Sequence, residues 1–219
     1  DVAVAFVDLS SFTSLAEAMG DEVAAEILRR FSELVRTATR ALDGRVVKQI
    51  GDAFMLVFPE PRRAVLAALD IATRANREAQ FPAVRTGIHW GSVLYREGDY
   101  VGANVNLASR LASEAVPHQV LMTAAVRDNV GELANVEFVH VGKRHIKGMS
   151  RQFELFDARL ADAPAHKKET DPVCGMELAL SEVTARLSFE GRQLAFCSEP
   201  CLRAFVSVPE HYPPAVSNR

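Results

Sequence analysis

The stretch RVVKQIGDAFMLVF, residues 45–58, predicts two β-strands joined by a tight turn at Gly51 and Asp52. Branched and aromatic apolar residues dominate both arms, 45–50 and 53–58, as they do in strands. A hairpin makes its two strands antiparallel. Strands and helices are also interspersed along the chain, so we predict an α+β fold with an antiparallel or mixed sheet, not a doubly wound parallel sheet.

Apolar side chains at helical spacing predict amphipathic helices on both sides of this hairpin, over residues 21–42 and about 61–79. Asp21 is the predicted N-cap of the first helix. A strand is predicted over residues 84–94, and a Gly/Asp loop then leads to a helix at about 103–115. The remaining predicted elements are strands at VAVAFVD, VLMT, VEFVHVG and FELFDA and a short helix at 123–130.

Asp8 raises the question of why a buried strand should end in an acid. The apolar run AVAFV leads directly into Asp8, and Asp52 occupies a similar place beside the strand that follows the hairpin turn. Two carboxylates at the ends of neighbouring strands repel unless a cation keeps both ionised, and hard ions such as Mg²⁺ or Mn²⁺ prefer oxygen ligands. The alternative is that Asp8 caps the following turn and that Asp52 is an ordinary hairpin-turn residue.

The stretch DYVGANVNLASRLAS, residues 99–113, places Asn106 and Arg110 four residues apart, on one face of the predicted helix. An amide and a guanidinium aimed at one point suit a polyanion such as a triphosphate. The alternative is a solvent-facing Asn106 with Arg110 paired to Glu114. The other residues of this helix are small and apolar, so the helix is predicted to be largely buried, and a buried arginine needs an anionic partner.

The composition favours a globular protein without a nucleic-acid-binding surface. Hydrophobic residues make up 48% and charged residues 24% of the 219 residues, and the formal net charge is −3. No apolar run approaches the ~20 residues that span a bilayer, so no membrane segment is predicted in this sequence. Because the chain opens at Asp1 inside a strand, we expect upstream sequence, which leaves open an upstream membrane segment.

Four motifs, in order, resemble the class III nucleotidyl cyclase catalytic domain, the adenylate and guanylate cyclase family. They are FVDLSSFT, VVKQIGDAFMLVF, TGIHWG and GDYVGANVNLASRL, and the resemblance covers residues 1–158. It implies a ferredoxin-like α+β domain that works as a homodimer, with ATP or GTP bound at the subunit interface. It also implies two Mg²⁺ or Mn²⁺ ions in each active site.

Carried over position by position, the resemblance assigns metal-binding and catalytic roles to residues already singled out. Asp8 and Asp52 match the two metal-binding aspartates of the family. Leu9 stands where the family often has isoleucine, and its backbone carbonyl is an expected metal ligand. Asn106 and Arg110 match the pair that orients the ribose and stabilises the α-phosphate.

Lys48 and Asp99 match the positions that choose the base, and their chemistry favours adenine. A lysine donates to adenine N1 and an aspartate accepts from the 6-amino group, whereas guanine reverses this pattern. An unpaired buried polar group costs ~1–3 kcal/mol, so the mismatch disfavours GTP. Lys147, in HIKGMS, falls near the phosphate-contacting lysine of the family. The alternative roles are an exposed strand lysine for Lys48 and a turn-forming acid for Asp99.

The implied reaction converts ATP to cyclic AMP and pyrophosphate. No dedicated protein base is apparent, because His89 lies on a strand with apolar alternation and is expected to be a packed structural histidine. The resemblance further implies that one subunit supplies the acids and its partner the remaining residues, so a homodimer is expected to form two complete sites. The alternative functions are a guanylate cyclase and a non-catalytic nucleotide-binding or metal-sensing module.

The C-terminal part is predicted to be a separate unit, 171–213, after a linker over 159–170. It contains the three cysteines, Cys174, Cys197 and Cys201, and the last two are four residues apart, as on one face of a short helix. Thiolates suit Zn²⁺ or Cu⁺. The open choices for a fourth ligand are Asp171, His211 and water.

DPVCGM and FCSEPC, with the FVSVPEHY that follows, resemble the YHS domain, a relative of TRASH-type metal-binding modules. The resemblance implies metal binding, and the fused architecture predicts that the metal or redox state of this module modulates the cyclase. The alternative is three buried cysteines that pack as small hydrophobic residues. Free thiols and the cyclase resemblance lead us to expect a protein of the bacterial cytoplasm.

Overall fold

The computed structural model describes residues 1–162 and 168–212, and these residues divide into two units. The first unit contains residues 1–9, 32–74 and the described part of 84–164. The second contains residues 10–31, 75–83 and the described part of 165–219. The boundary falls inside two helices, α2 (Asp21–Ala41) and α3 (Pro61–Arg77), so each helix contributes residues to both units.

A seven-stranded mixed sheet forms the first unit, in the order β2-β3-β1-β5-β8-β10-β9. Its β5–β8 pair is parallel, and its other neighbouring pairs are antiparallel. The prediction of an α+β fold with a mixed sheet is confirmed. The strands are β1 (Val2–Leu9), β2 (Arg45–Ile50), β3 (Ala53–Phe58), β5 (Val84–Gly91), β8 (Val120–Thr123), β9 (Val136–His145) and β10 (Gln152–Leu160).

Helix α4 (Ala103–Glu114) packs on this sheet through its small apolar residues. A Cβ added at Gly87 of β5 would lie 2.1 Å from the backbone nitrogen of Ala112, so helix and strand meet at a spacing that only glycine allows. The prediction that α4 is largely buried is confirmed. The shared core cluster consists of Val4, Phe6, Met55, Val57, Val105, Ala108 and Ala112.

The chain leaves the sheet earlier than predicted, because β5 ends at Gly91 and not at residue 94. The side-chain amide of Asn104 donates to the backbone oxygen of Ser92 at 2.8 Å, which gives that carbonyl a partner outside the strand ladder. The predicted Gly/Asp loop is in fact a hairpin of β6 (Leu94–Arg96) and β7 (Asp99–Val101). Positive φ angles of 53° and 86° at its two turn residues suit the right-handed twist of a short hairpin.

The second unit joins the C-terminal segment to parts of the chain that lie inside the cyclase-like stretch. Strand β4 (Phe81–Pro82) pairs with β12 (Met176–Leu178), and β12 also pairs with β11 (Glu169–Thr170). Phe81, 1% exposed, contacts Phe31 of α2, which is fully buried. The remaining elements are α1 (Phe12–Met19), the strands β13 (Ala185–Phe189) and β14 (Arg192–Phe196), α6 (Glu199–Ser207) and two 3₁₀ helices, Leu180–Glu182 and Pro209–His211.

This division differs from the predicted boundaries of 1–158, 159–170 and 171–213, because residues 10–31 and 75–83 pack with the C-terminal segment. Residues 163–167 of the predicted linker, and residue 213, lie outside the described residues. Asp21 lies within the first turn of α2 and not at its N-cap, since the helix begins at Asp21 itself. None of the described helices combines the length and the apolar character that crossing a bilayer demands.

Candidate active site and cysteine cluster

Asp8 and Asp52 lie side by side because β1 and β3 are antiparallel neighbours. Val7 faces Phe54 in the ladder, so the end of β1 meets the start of β3 and the Gly51–Asp52 turn. Burial, the negative charge of Asp8 and a hydrogen bond with Asp8 together raise the pKa of Asp52 to about 6. Burial and the nearby charge of Asp8 both disfavour the ionised form, so the Asp52 carboxyl group keeps its proton above the usual pH range.

Arg85 contacts the same acid pair, and the sequence analysis missed it. It lies opposite Asp8 in the β1–β5 ladder, and its Nε and Nη2 donate to Asp8 Oδ2 at 3.0 and 2.6 Å. Both bonds end on Oδ2, so neither occupies Oδ1. The available signal was a charged residue near the start of an otherwise apolar strand, VRTGIHWG. Arg85 also lowers the pKa of Asp52 slightly against the larger effects that raise it.

The chemistry of this pair fits a divalent cation. Two adjacent carboxylates offer hard oxygen ligands, and a positive ion between them would reverse the repulsion that now raises the pKa of Asp52. Leu9, whose backbone carbonyl was expected as a further ligand, follows Asp8 at the end of β1 and has a buried side chain.

Lys48 and Asp99 form an ion pair, which the sequence analysis did not predict. Lys48 lies on β2, and its Nζ contacts Oδ2 of Asp99, the first residue of β7. The backbone N–H of Tyr100 donates to Asp99 Oδ1 at 2.8 Å. The hydrogen bond from Lys48 lowers the pKa of Asp99, so this carboxylate is ionised. Both side chains are more than one-third exposed, so a ligand can reach them.

Asn106 and Arg110 lie on α4, and their environments differ. Asn106 is exposed and Arg110 is half-buried. Among the described residues no carboxylate pairs with Arg110, so the alternative of an ion pair with Glu114 is not observed. A Cβ added at Gly148 would lie 2.9 Å from Arg110 Nη2, so the guanidinium rests against the loop that carries Lys147.

Ile146 holds that loop in place. Its side chain is 1% exposed and packs in a cluster with residues of α4, β8 and β10. Burying a side chain of this size contributes about 1.5–3 kcal/mol, so the backbone on either side of Ile146 is well anchored. Lys147, the next residue, is exposed.

The described contacts do not join the acid pair to the other predicted site residues. Among the described residues, no hydrogen bond or ion pair connects Asp8 or Asp52 with Lys48, Asp99, Asn106 or Arg110. The Lys48–Asp99 pair and the acid pair thus have no direct contact with each other among the described residues.

His89 is a packed structural histidine, as predicted. It is 6% exposed, its Nδ1 lies 2.8 Å from Thr123 Oγ1, and its Nε2 lies 3.1 Å from Asn104 Oδ1. Burial lowers the pKa of His89, so the ring is neutral at physiological pH. Both ring nitrogens already have partners within the unit, which leaves neither for a substrate proton.

The three cysteines of the second unit gather around Asp171. One ligand atom from each of Asp171, Cys174, Cys197 and Cys201 lies within 4.8 Å of the others, and all four residues are buried. Of the three choices for a fourth metal ligand, the structure brings Asp171 to the cluster, whereas His211 is exposed. The cysteines form no disulfide.

The backbone of the DPVC turn and the start of α6 position these groups. Gly175 has φ 72°, and a Cβ there would lie 2.6 Å from the Cβ of Ser11. Both the backbone conformation and the lack of space therefore favour glycine at this position. Cys197 and Cys201 do not share a helix face as predicted, because α6 begins only at Glu199. Cys197 instead follows β14, and its Sγ lies 3.7 Å from that of Cys201.

The thiols interact closely enough to shift one another's acidity. Hydrogen bonds with Cys174 and Cys197 lower the pKa of Cys201. Hydrogen bonds with Cys197 and Cys201, together with burial, raise the pKa of Cys174. A metal ion entering the cluster would displace the thiol protons, because thiolates are the metal-binding form.

Comparison with known proteins identifies the family of the larger part of the chain. Residues 1–156 match the family described as "Adenylate and Guanylate cyclase catalytic domain". An uncharacterized protein of Mycobacterium tuberculosis is 38% identical over 165 residues, 74% of this chain and 44% of that protein. A pH-sensitive adenylate cyclase of the same species is 34% identical over 161 residues, 72% of this chain and 40% of that protein. The chain thus spans less than half the length of these curated relatives.

Solved cyclase structures share the fold. An adenylate cyclase of Trypanosoma brucei superposes with a TM-score of 0.68 and 22% identity, covering 75% of this chain and 92% of that one. The adenylyl cyclase CyaB from P. aeruginosa gives 0.61 and 22% identity over 75% of this chain and 95% of that one. The predicted cyclase fold is therefore confirmed.

Proposed function

Because this chain belongs to the adenylate and guanylate cyclase catalytic domain family, we propose that it is an adenylate cyclase, which converts ATP to cyclic AMP and pyrophosphate. The observation that carries the choice of ATP is the ion pair between Lys48 and Asp99. This ion pair brings the ammonium group of Lys48 next to the carboxylate of Asp99, so one base can contact both groups.

The donor and acceptor pattern of this pair suits adenine. Lys48 donates to N1 of adenine, and Asp99 accepts from the 6-amino group. Guanine has an acceptor at O6 and a donor at N1, so the same two side chains face mismatched groups. Each unpaired buried polar group costs ~1–3 kcal/mol, which is enough for a strong preference.

The acid pair is the proposed site of two Mg²⁺ or Mn²⁺ ions. Asp8 and Asp52 hold them through carboxylate oxygens, with the backbone carbonyl of Leu9 as a further ligand. When bound, such ions lower the pKa of the ribose 3′-hydroxyl and neutralise the triphosphate. The closeness of the two carboxyl groups supports this role: besides burial, the charge of Asp8 and a hydrogen bond with Asp8 raise the pKa of Asp52, so the two acids are near enough to share one ion.

The remaining residues orient ATP and stabilise its transition state. The ribose 3′-oxygen attacks the α-phosphorus, a new phosphorus–oxygen bond closes the ring, and the bond to the β-phosphate oxygen breaks to release pyrophosphate. Asn106 orients the ribose, and Arg110 meets the charge that grows on the α-phosphate. Lys147 contacts the phosphates from the loop against which Arg110 rests.

We propose that two copies of the chain complete the site. The acid pair comes from one subunit, and Lys48, Asp99, Asn106 and Arg110 come from its partner. Membership of the cyclase family supports this arrangement, because cyclase domains of this family act as dimers. A homodimer then holds two complete sites, and its formation controls activity.

The C-terminal segment is the proposed metal-binding module of the YHS type, and we propose that it modulates the cyclase. Four buried ligand-bearing residues within 4.8 Å of one another support the metal site. The packing of the segment with residues 10–31 supports the modulation, because those residues belong to the stretch that matches the cyclase family.

One assay tests the proposed activity. Purified protein is given Mn²⁺ with either ATP or GTP, and both cyclic products are quantified. We expect cyclic AMP as the main product. Asp52→Ala should lose turnover by several orders of magnitude, whereas Asp128→Ala, at an exposed aspartate of the helix α5 (Ala124–Val130), should retain it. Cyclic GMP as the main product, no product, or full activity in Asp52→Ala would overturn the proposal.

A further inference from the structure

A fourth sulfur atom lies beside the cysteine cluster, on a helix far from the cysteines in sequence. Met19 is the last residue of α1, and its Sδ lies 3.7 Å from Cys201 Sγ. The hydroxyl of Ser198 lies 3.8 Å from the same sulfur. Helices α1 and α6 pack against each other within the second unit, which brings the thioether to this place.

We propose that Met19 is the fourth sulfur ligand of a Cu⁺ ion that Cys174, Cys197 and Cys201 hold. This inference rests on the proposed metal binding of the C-terminal segment and specifies its ion and its ligand set. It does not depend on cyclase activity.

The spacing of the sulfur atoms suits one ion. Metal–sulfur bonds of about 2.3 Å in a tetrahedron place the sulfurs about 3.8 Å apart. The Sγ atoms of Cys174 and Cys197 are 3.5 Å apart, and those of Cys197 and Cys201 are 3.7 Å apart. The Met19 Sδ lies 3.7 Å from Cys201 Sγ, so these three sulfur–sulfur contacts all fall within about 0.3 Å of the tetrahedral spacing.

Asp171 supports the cluster and is not a ligand in this arrangement. Its Oδ1 accepts from the backbone N–H groups of Val173 and Cys174 at 2.8 and 3.3 Å, and its Oδ2 accepts from that of Cys197 at 2.8 Å. The carboxylate thereby fixes the backbone of two of the cysteines. Turning an oxygen toward an ion would leave buried N–H groups without partners, at a cost of about 1–3 kcal/mol each.

The thioether favours Cu⁺ over Zn²⁺. Thioether sulfur is a neutral, soft donor, and soft thiolate and thioether ligands together select Cu⁺. A structural zinc site takes its fourth ligand from cysteine, histidine or a carboxylate. Within the described part of the chain, no histidine joins the cluster.

Met19 lies within residues 1–156, which match the cyclase family, so its bond would connect the ion directly to that part of the chain. Helix α1 begins at Phe12, and only Leu9, Ser10 and Ser11 separate it from Asp8 along the chain. An ion shared between α1 and the C-terminal segment therefore stiffens the helix that follows the proposed metal-binding acid. The bond between Met19 and the ion would thus be the physical connection through which the C-terminal segment modulates the cyclase.

The test is anaerobic Cu⁺ titration of the full chain against a chelator of known affinity, bathocuproine disulfonate, with X-ray absorption at the copper edge. We expect one Cu⁺ per chain and four sulfur neighbours. Met19→Leu nearly conserves volume, so the metal-free protein should fold as before, which thermal unfolding checks. Its Cu⁺ affinity should fall at least about tenfold, because even losing a group that only supports a ligand costs about 10–100-fold.

Met149→Leu is the matched control, since Met149 packs in a core cluster of the first unit, and its Cu⁺ affinity should equal that of the wild type. Equal affinity and an equal sulfur count in Met19→Leu would overturn the proposal, as would a wild-type protein that prefers Zn²⁺ or binds neither ion. Copper binding is measured without substrate, so its failure is distinguishable from a failure of the proposed cyclase activity.

Discussion

Lys48 on β2 and Asp99 on β7 form an ion pair that fixes the position of the β6–β7 hairpin relative to the edge of the main sheet. The cyclase resemblance assigns base recognition to both residues and does not require them to contact each other. Their contact means that a donor and an acceptor are already presented together before a nucleotide arrives. Such preorganisation reduces the ordering that a base must bring about on binding.

Lys48→Ala should weaken the preference for ATP, because it removes the donor to adenine N1. We expect kcat/KM for ATP to fall by about tenfold or more, which corresponds to the loss of one buried hydrogen bond to a charged group. The value for GTP should change less. Arg74→Ala breaks an ion pair with Asp70 on α3, a helix without proposed site residues, and should leave both values unchanged. An unchanged ATP/GTP ratio in Lys48→Ala would contradict the adenine assignment.

Asp52→Asn should stabilise the metal-free protein at neutral pH. The folded-state pKa of Asp52 is raised to about 6, above an unfolded value of about 3.9. Stability therefore falls as pH rises from about 4 to about 6 and stays lower above that range. At pH 7.5 in EDTA, the free energy of unfolding of Asp52→Asn should exceed that of the wild type by about 1–2 kcal/mol, after allowance for solvent screening.

The difference should vanish near pH 3, below both pKa values, where the wild-type acid is largely protonated in the folded and in the unfolded state. Denaturant unfolding across this pH range measures it, with the exposed Asp128→Asn as the control that shows no such trend. A constant difference across the range would mean that Asp8 and Asp52 do not interact as described.

Gly148→Ala should lower kcat by displacing Arg110. The added Cβ would lie 2.9 Å from Nη2, so the guanidinium must move, and a misplaced transition-state group costs about 100-fold or more. Gly142→Ala is the matched control, because Gly142 also has a positive φ but no atom within 4 Å of an added Cβ. Both variants should lose similar stability, and only the first should lose turnover. Equal turnover would separate Arg110 from catalysis.

Much of the fold was predictable because its signals are local. The arms 45–50 and 53–58 became β2 and β3, and the predicted helix at 103–115 became α4 at Ala103–Glu114. The adjacency of Asp8 and Asp52 was predicted on the condition that their strands are neighbours, and the β1–β3 ladder meets it.

The missed features depend on contacts between distant parts of the chain. Arg85 lies opposite Asp8 only because of the register between β1 and β5. Strand β4 pairs with β12, although the two strands are far apart in the sequence. Met19 lies at the end of an ordinary amphipathic helix, where periodicity predicts burial and says nothing of a nearby thiol. Just beyond the early end of β5, the side chain of Asn104 donates to the backbone oxygen of Ser92, a contact that a strand pattern does not reveal.

Two inactive variants should restore activity when co-expressed, if each site takes residues from two subunits. Asp52→Ala and Arg110→Ala lie on opposite sides of the proposed interface, so a mixed dimer keeps one intact site. Random pairing should give about a quarter of wild-type activity, since about half of the dimers are mixed and each has one of two sites. No recovery in the co-purified mixture would place both residues in the same half of the site.

The proposed metal site is tested most directly by a crystal structure with Mn²⁺ and a non-cyclisable ATP analogue, with the anomalous signal of manganese as the measured quantity. We expect two manganese peaks between Asp8 and Asp52, with Arg110 of the partner subunit on the α-phosphate. Carboxylates that remain beside Arg85 without an ion, while the nucleotide is bound, would contradict this expectation.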